Sequence, residues 1–82
     1  MKHLDYIPQG VCSRCIHLDL SDDGRIESAT FEGGCHGNLQ GIAALIKDMP
    51  KEEVIKRLKG IRCGSKSTSC PDQLAKALQS VD

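Results

Sequence analysis

The apolar residues of this 82-residue chain change their spacing once, at Gly33-Gly34-Cys35-His36-Gly37, and that switch limits the possible folds more than any other feature. Before it the period is two. Ile16, Leu18 and Leu20 alternate with Cys15, His17 and Asp19, as in a strand with one face in a core. A shorter strand around Leu4 and Tyr6 is closed by Pro8-Gln9-Gly10. The strand over 12–20 runs into Ser21-Asp22-Asp23-Gly24, where Asp-Gly supplies the positive φ that a hairpin needs. Residues 25–31 return as its partner, with Ala29 and Phe31 on one face and Ile26 displaced by a bulge.

After the switch the period is that of a helix. Leu39, Ile42, Ala43, Leu45, Ile46 and Met49 fall on one face, with Asn38 as the expected N-cap. Pro50 ends this helix and opens a second over 50–58, which carries Val54, Ile55 and Leu58 inward and stops at Lys59-Gly60. A loop covers 61–67. Thr68-Ser69-Cys70-Pro71-Asp72 then opens the last helix, with Ser69 and Asp72 in capping-box spacing and Leu74, Ala77, Leu78 and Val81 facing inward. Strands first and helices after predict an α+β fold. It is a two- to three-stranded antiparallel sheet followed by three helices packed on one face, in a single domain over 1–82.

Composition says where such a domain is short of stability. Tyr6 and Phe31 are the only aromatics, so the core is aliphatic and thin, and small domains of that kind commonly need a metal, a disulfide or a partner. Eleven basic and eleven acidic residues, with almost no stacking aromatics, exclude a general nucleic-acid binder. No apolar run reaches the roughly 18 to 20 residues of a membrane span, and Met1-Lys2-His3-Leu4-Asp5 has no apolar signal core, so a cytoplasmic location is expected. Thiols stay reduced there. Five cysteines therefore point to metal or redox chemistry, and an odd count suits a full set of disulfides badly.

The cysteines differ in setting. Cys12 and Cys15 form a C-x-x-C, but on a regular strand residues three apart face opposite sides, so they chelate together only across a turn or bulge. Cys35, Cys63 and Cys70 each lie where regular structure begins or ends, beside Gly, Pro or Ser. Glycine lets the backbone approach an ion, and helix N-termini favour thiolate chemistry. A shared metal or cluster site is expected from that placement. Cys15, mid-strand, reads as a sheet residue and His17 as a surface histidine. Cys15 and His36 are reserve ligands, His36 because it follows Cys35 in the glycine-rich turn. Four gathered thiolates select zinc or an iron-sulfur cluster over hard cations.

Three segments then resemble a known family. Gly33-Gly34-Cys35-His36-Gly37-Asn38-Leu39, Leu58-Lys59-Gly60-Ile61-Arg62-Cys63-Gly64 and Thr68-Ser69-Cys70-Pro71-Asp72-Gln73-Leu74-Ala75-Lys76-Ala77-Leu78 are similar to the TSCPD domain, named for its pentapeptide. That family occurs as a C-terminal module of some adenosylcobalamin-dependent ribonucleotide reductases and as stand-alone proteins. The resemblance implies four characteristic cysteines, matching Cys12, Cys35, Cys63 and Cys70, and a link to ribonucleoside-diphosphate reductase. A chain of this size has no room for that enzyme's barrel, so the implied role is that of an accessory module, not catalytic alone. The order of elements also resembles the U-type iron-sulfur scaffolds, whose three cluster cysteines would fall on Cys12, Cys35 and Cys70. Those scaffolds carry Asp two residues after the first cysteine, where this chain has Arg14.

Charge adds a partner signal. Residues 47–66 hold seven basic and three acidic groups, a net +4, whereas 1–46 carry −3 and 67–82 carry −1. Much of the basic stretch is expected to be a solvated helix face, with Glu52 and Glu53 in helical spacing to Lys56 and Arg57. Arg62 and Lys66 flank Cys63 and are the expected contacts for thiolate charge, a nucleotide phosphate or an acidic partner. The expected function is a cysteine-rich zinc-binding accessory module. The alternatives are an iron-sulfur scaffold or carrier and a thiol redox protein using Cys63 and Cys70 to pass electrons to a reductase.

Overall fold

The computed structural model describes residues 2–11, 13–34 and 36–81. The chain runs through three strands, β1 (Lys2–Tyr6), β2 (Ser13–Leu20) and β3 (Ile26–Gly33), and then three helices, α1 (His36–Ile46), α2 (Lys51–Leu58) and α3 (Cys70–Gln79). The strands form one antiparallel sheet in the order β1-β2-β3, so the α+β arrangement is the one the change of period requires.

β2 is central, and its alternation sets the two faces of the sheet. Ile16, Leu18 and Leu20 are buried; Tyr6 and Phe31 pair with Ile16, and Leu4 and Ala29 with Leu18. All three helices cover this face, contributing Ile46 from α1, Val54 from α2 and Leu74, Ala77 and Leu78 from α3 to the same core. The largest fully buried side chains are Ile16, Leu18, Ile26, Leu74, Leu78 and Val54, each stabilising by about 1.5–3 kcal/mol through burial. None is aromatic. Tyr6 and Phe31 pack only at the core's margin, as the composition leads one to expect.

Two register shifts break the β2–β3 ladder. One lies beside Ile26, which pairs with Leu20 while Ser28 pairs with Asp19, leaving Glu27 as the extra residue of the expected bulge. The other was not expected. Ser13 pairs with Gly33 and Cys15 with Glu32, so Arg14 is an extra residue on β2. The bulge changes which way Ser13 faces. In a regular strand Ser13 and Cys15 would share a face; here Ser13 is buried under α3, while Cys15 lies on the open face near His17.

The helices correct three expectations. α1 begins at His36, so Asn38 is inside its first turn and is not the N-cap; the apolar period marked only the buried stripe and missed the exposed start. Leu39 and Ile46 are buried and Ile42 is half-buried, but Leu45 is 78% exposed. α1 lies on the edge strand β3 and buries a narrow stripe, and Leu45, about 100° around the helix from Ile46, falls outside it. Pro50 is extended (φ −60°, ψ 140°) and caps α2 from outside, so that helix starts one residue later than expected. Lys51 N–H donates to Gly24 O at 2.9 Å and Ile26 N–H to Met49 O at 3.0 Å, which ties this connection to the start of β3.

Candidate functional site

The pentapeptide Thr68-Ser69-Cys70-Pro71-Asp72 opens α3, and four of its five residues hold the fifth in place. Ser69 is the N-cap, its hydroxyl accepting from Asp72 N–H at 3.1 Å, and Pro71 occupies the first turn, where no intrahelical donor is needed. Asp72 is buried, its side chain 5% exposed. It accepts from the Thr68 hydroxyl and, at 2.7 Å, from Gly60 N–H at the end of α2. These two donors, the Thr68 hydroxyl foremost, hold its carboxyl below the usual range. The expected capping box is thus half made: Ser69 caps, but Asp72 turns its carboxylate to Thr68 and Gly60. Gln73 donates to Thr68 Oγ1 at 3.0 Å and accepts from Gln9 N–H at 2.9 Å, fastening the loop after β1 to the same helix start. Among the described residues, every buried side-chain nitrogen and oxygen has a hydrogen-bond partner.

Cys70 is the first residue of α3 and half-buried. Its Sγ lies 2.8 Å from Ser13 Oγ, the side chain that the Arg14 bulge turns inward. Cys63 sits in a closed loop. Its N–H donates to Thr68 O at 3.1 Å, its carbonyl accepts from Lys66 N–H at 3.0 Å, and the Ser69 hydroxyl donates to Ile61 O at 2.7 Å. Gly64 has φ +58°, which suits glycine at this turn. Cys63 and Cys70 line one cleft of about 500 Å³, with Pro71 on their side and Gly37, Leu39 and Leu45 of α1 opposite.

Gly34 closes the same region from the sheet. Its φ is +79°, which favours glycine, and a Cβ there would stand 2.9 Å from Leu39 Cδ1 and 3.5 Å from Ser13 N, so any larger residue would also have to displace the buried Leu39 methyl.

The family model of the TSCPD domain matches residues 2–82. The chain belongs to the TSCPD domain family. The family is known from ribonucleotide reductase contexts. Comparison with curated proteins and with solved structures gives no match.

In this TSCPD domain the expected site residues fall into separate groups. Cys63 and Cys70 share the cleft. Cys12 and Cys35 lie outside the described residues, but Ser13 and Gly34, next to them in sequence, meet beside Cys70. Cys15 is on the other face of the sheet, its Sγ 3.9 Å from His17 Nδ1, and is not brought to the cleft. His36 is the first residue of α1 rather than part of a turn. Arg62 and Lys66 are exposed in the loop that carries Cys63. Glu53 pairs with Arg57 at 2.6 Å, the helical pairing the basic stretch suggests. The Ser13 contact was not legible beforehand, because the bulge that makes it has no glycine or proline to signal it. All three described cysteines carry free thiols, and no described helix is long and apolar enough to cross a membrane.

Proposed function

We propose that the protein is a metal-binding accessory module in which Cys12, Cys35, Cys63 and Cys70 hold one zinc ion. The observation that carries this is the convergence at the start of α3. Cys70 and Cys63 face one cleft, and the immediate neighbours of the other two cysteines, Ser13 and Gly34, stand against each other beside Cys70. Soft thiolate donors from four separate segments suit a tetrahedral ion of the zinc class, and such an ion would add folding free energy to a domain whose core is thin. Its role would be structural, clamping the sheet end, the α1 start, the 61–67 loop and α3. In a reductase context the clamped surface would serve contact with the larger enzyme, with Arg62 and Lys66 offering positive charge beside Cys63 to a phosphate or an acidic surface.

Metal analysis of protein purified from its own host tests this. One zinc per chain is expected, lost together with thermal stability in Cys63→Ser and Cys70→Ser. Metal-free, folded protein with an unchanged melting temperature would overturn it. Visible absorption abolished by Cys35→Ala would replace zinc with an iron-sulfur cluster. A second reading follows from the shared cleft, since an exposed Cys63 beside a half-buried Cys70 also suits thiol exchange. A reversible Cys63–Cys70 disulfide in metal-free protein would favour a redox role.

A further inference from the structure

The open face of the sheet carries a row of polar side chains that the cysteine site does not use. Register sets it. His3 pairs with Asp19 and Asp5 with His17 across β1–β2, and Cys15 pairs with Glu32 across β2–β3. Asp5 Oδ1 is the meeting point, 2.8 Å from His3 Nε2 and 2.5 Å from His17 Nδ1. The far nitrogen of each ring meets another carboxylate: His3 Nδ1 is 2.7 Å from Asp19 Oδ1, and His17 Nε2 is 2.5 Å from Glu32 Oε2. Asp19 is itself held by the Ser28 hydroxyl at 2.7 Å.

We propose that His3 Nε2, Asp5 Oδ1 and His17 Nδ1 bind one divalent ion of the zinc class on this face, with Asp19 and Glu32 as positioning residues. Three observations support it. One ligand atom from each of the three residues lies within 4.8 Å of the other two, so the roughly 3.3–3.6 Å edges of a tetrahedral zinc site need only small side-chain shifts. Two imidazoles and a carboxylate suit ions of this class. Each ring also has its second nitrogen on a carboxylate, the arrangement that orients metal-bound histidines and raises their basicity. All four ring nitrogens face carboxylates, an arrangement that favours N–H on each of them. The ion takes the place of any proton on the two nitrogens that point at Asp5 Oδ1, and each such proton leaves to solvent.

The site is reachable, since the His3 and Asp5 side chains are each 55% exposed, and water can complete the coordination. Cys15 Sγ, 3.9 Å from the same His17 nitrogen, groups with Glu32 on the other side of that ring and stands apart from His3 and Asp5. The ion would join β1, an edge strand, to β2 on the face that no helix covers. None of its ligands belongs to the cysteine set, so its failure and that of the cysteine site are distinguishable.

The test is a zinc titration of the full chain at neutral pH, after any tightly held metal has been counted, following the His3 and His17 ring signals by NMR. Saturable shifts of both rings with one further equivalent are expected, together with slower amide exchange in β1. His17→Gln and Asp5→Asn should abolish the event. Asp19→Asn and Glu32→Gln should weaken it by roughly 10- to 100-fold, and Cys63→Ser should leave it unchanged. All substitutions on this face are at the surface, and far-UV circular dichroism verifies that each variant folds. Unmoved ring signals at millimolar zinc, equal affinity in His17→Gln and the parent, or loss of the event in Cys63→Ser would each overturn the proposal.

Discussion

Replacing Asp72 with alanine tests whether the pentapeptide works through its hydrogen bonds. The substitution removes the acceptor for two donors, Gly60 N–H and the Thr68 hydroxyl. Gly60 is exposed, so water can take over its N–H and the loss there sits at the low end, about 1 kcal/mol. Thr68 is buried, and its hydroxyl loses a charged acceptor that water cannot readily replace, about 2 kcal/mol. The sum, about 3 kcal/mol, is a large part of the roughly 4–12 kcal/mol expected for 82 residues. Asp72→Asn keeps an acceptor for Gly60 and should cost about 1 kcal/mol. Lys76→Ala removes only the Lys76–Asp72 pair, 3.7 Å apart with Lys76 half-exposed, and should cost less than about 0.5 kcal/mol.

Urea denaturation followed by far-UV circular dichroism gives all three values. The sign with pH is also fixed. A carboxyl held below its ordinary value of 3.8 contributes stability that is present above that value and lost as pH falls through the lower folded value. The gap between parent and Asp72→Ala should therefore stay constant near neutrality and close only in acid. A gap below about 1 kcal/mol would refute the hydrogen-bond account. Equal losses in Lys76→Ala and Asp72→Ala would mean that charge matters here and the two donors do not.

Three further outcomes are expected. Gly34→Ala should destabilise more than Gly24→Ala: both glycines have positive φ, costing about 1–2 kcal/mol for alanine, but only at Gly34 does the new Cβ meet a buried side chain, and urea midpoints compare them. Ile46→Ala should cost about 2–5 kcal/mol and Leu45→Ala less than about 0.5 kcal/mol by the same assay, whereas a broad apolar face on α1 would make both costly. On the open sheet face, Asp19 and then Asp5 raise the His3 pKa, and Asp5 and then Glu32 raise that of His17, while His17 lowers Asp5 and His3 lowers Asp19. The histidine contribution is present below 6.5 and lost as pH rises through the raised folded values; the carboxylate contribution is present above 3.8 and lost as pH falls through the lowered ones. The stability difference between the metal-free parent and His17→Gln should therefore be largest in mildly acidic solution and shrink toward alkaline pH.

Much of the fold was legible because it depends on local chemistry. The alternation of β2, the Asp23-Gly24 turn, the bulge beside Ile26 and the Ser69 cap each follow from residues close together in the chain. The misplacements arose where burial depends on what lies opposite. Leu45 looks inward by spacing, but α1 rests on an edge strand too narrow to cover it. In the site, the boundary placement of Cys63 and Cys70 pointed to a shared location, and they share a cleft. Ser13 was invisible because a one-residue register shift brings it there. His17 read as a surface histidine, and only the register of three strands makes it a neighbour of Asp5 and Glu32.

That register shift at Arg14 has a bearing on which changes of length the chain can tolerate. Ser13 and Cys15 are two positions apart yet serve opposite sides of the sheet, the first beside Cys70 and the second beside His17. Deleting Arg14 would leave Ser13 and Cys15 adjacent on a regular strand, still opposite Gly33 and Glu32, and neighbours on a strand face opposite sides, so both clusters would keep their side chains. Deleting a residue of β2 beyond the bulge would instead slip the pairing by one and turn side chains to the wrong face. In a segment built this way, the place of a deletion matters more than the change in length itself.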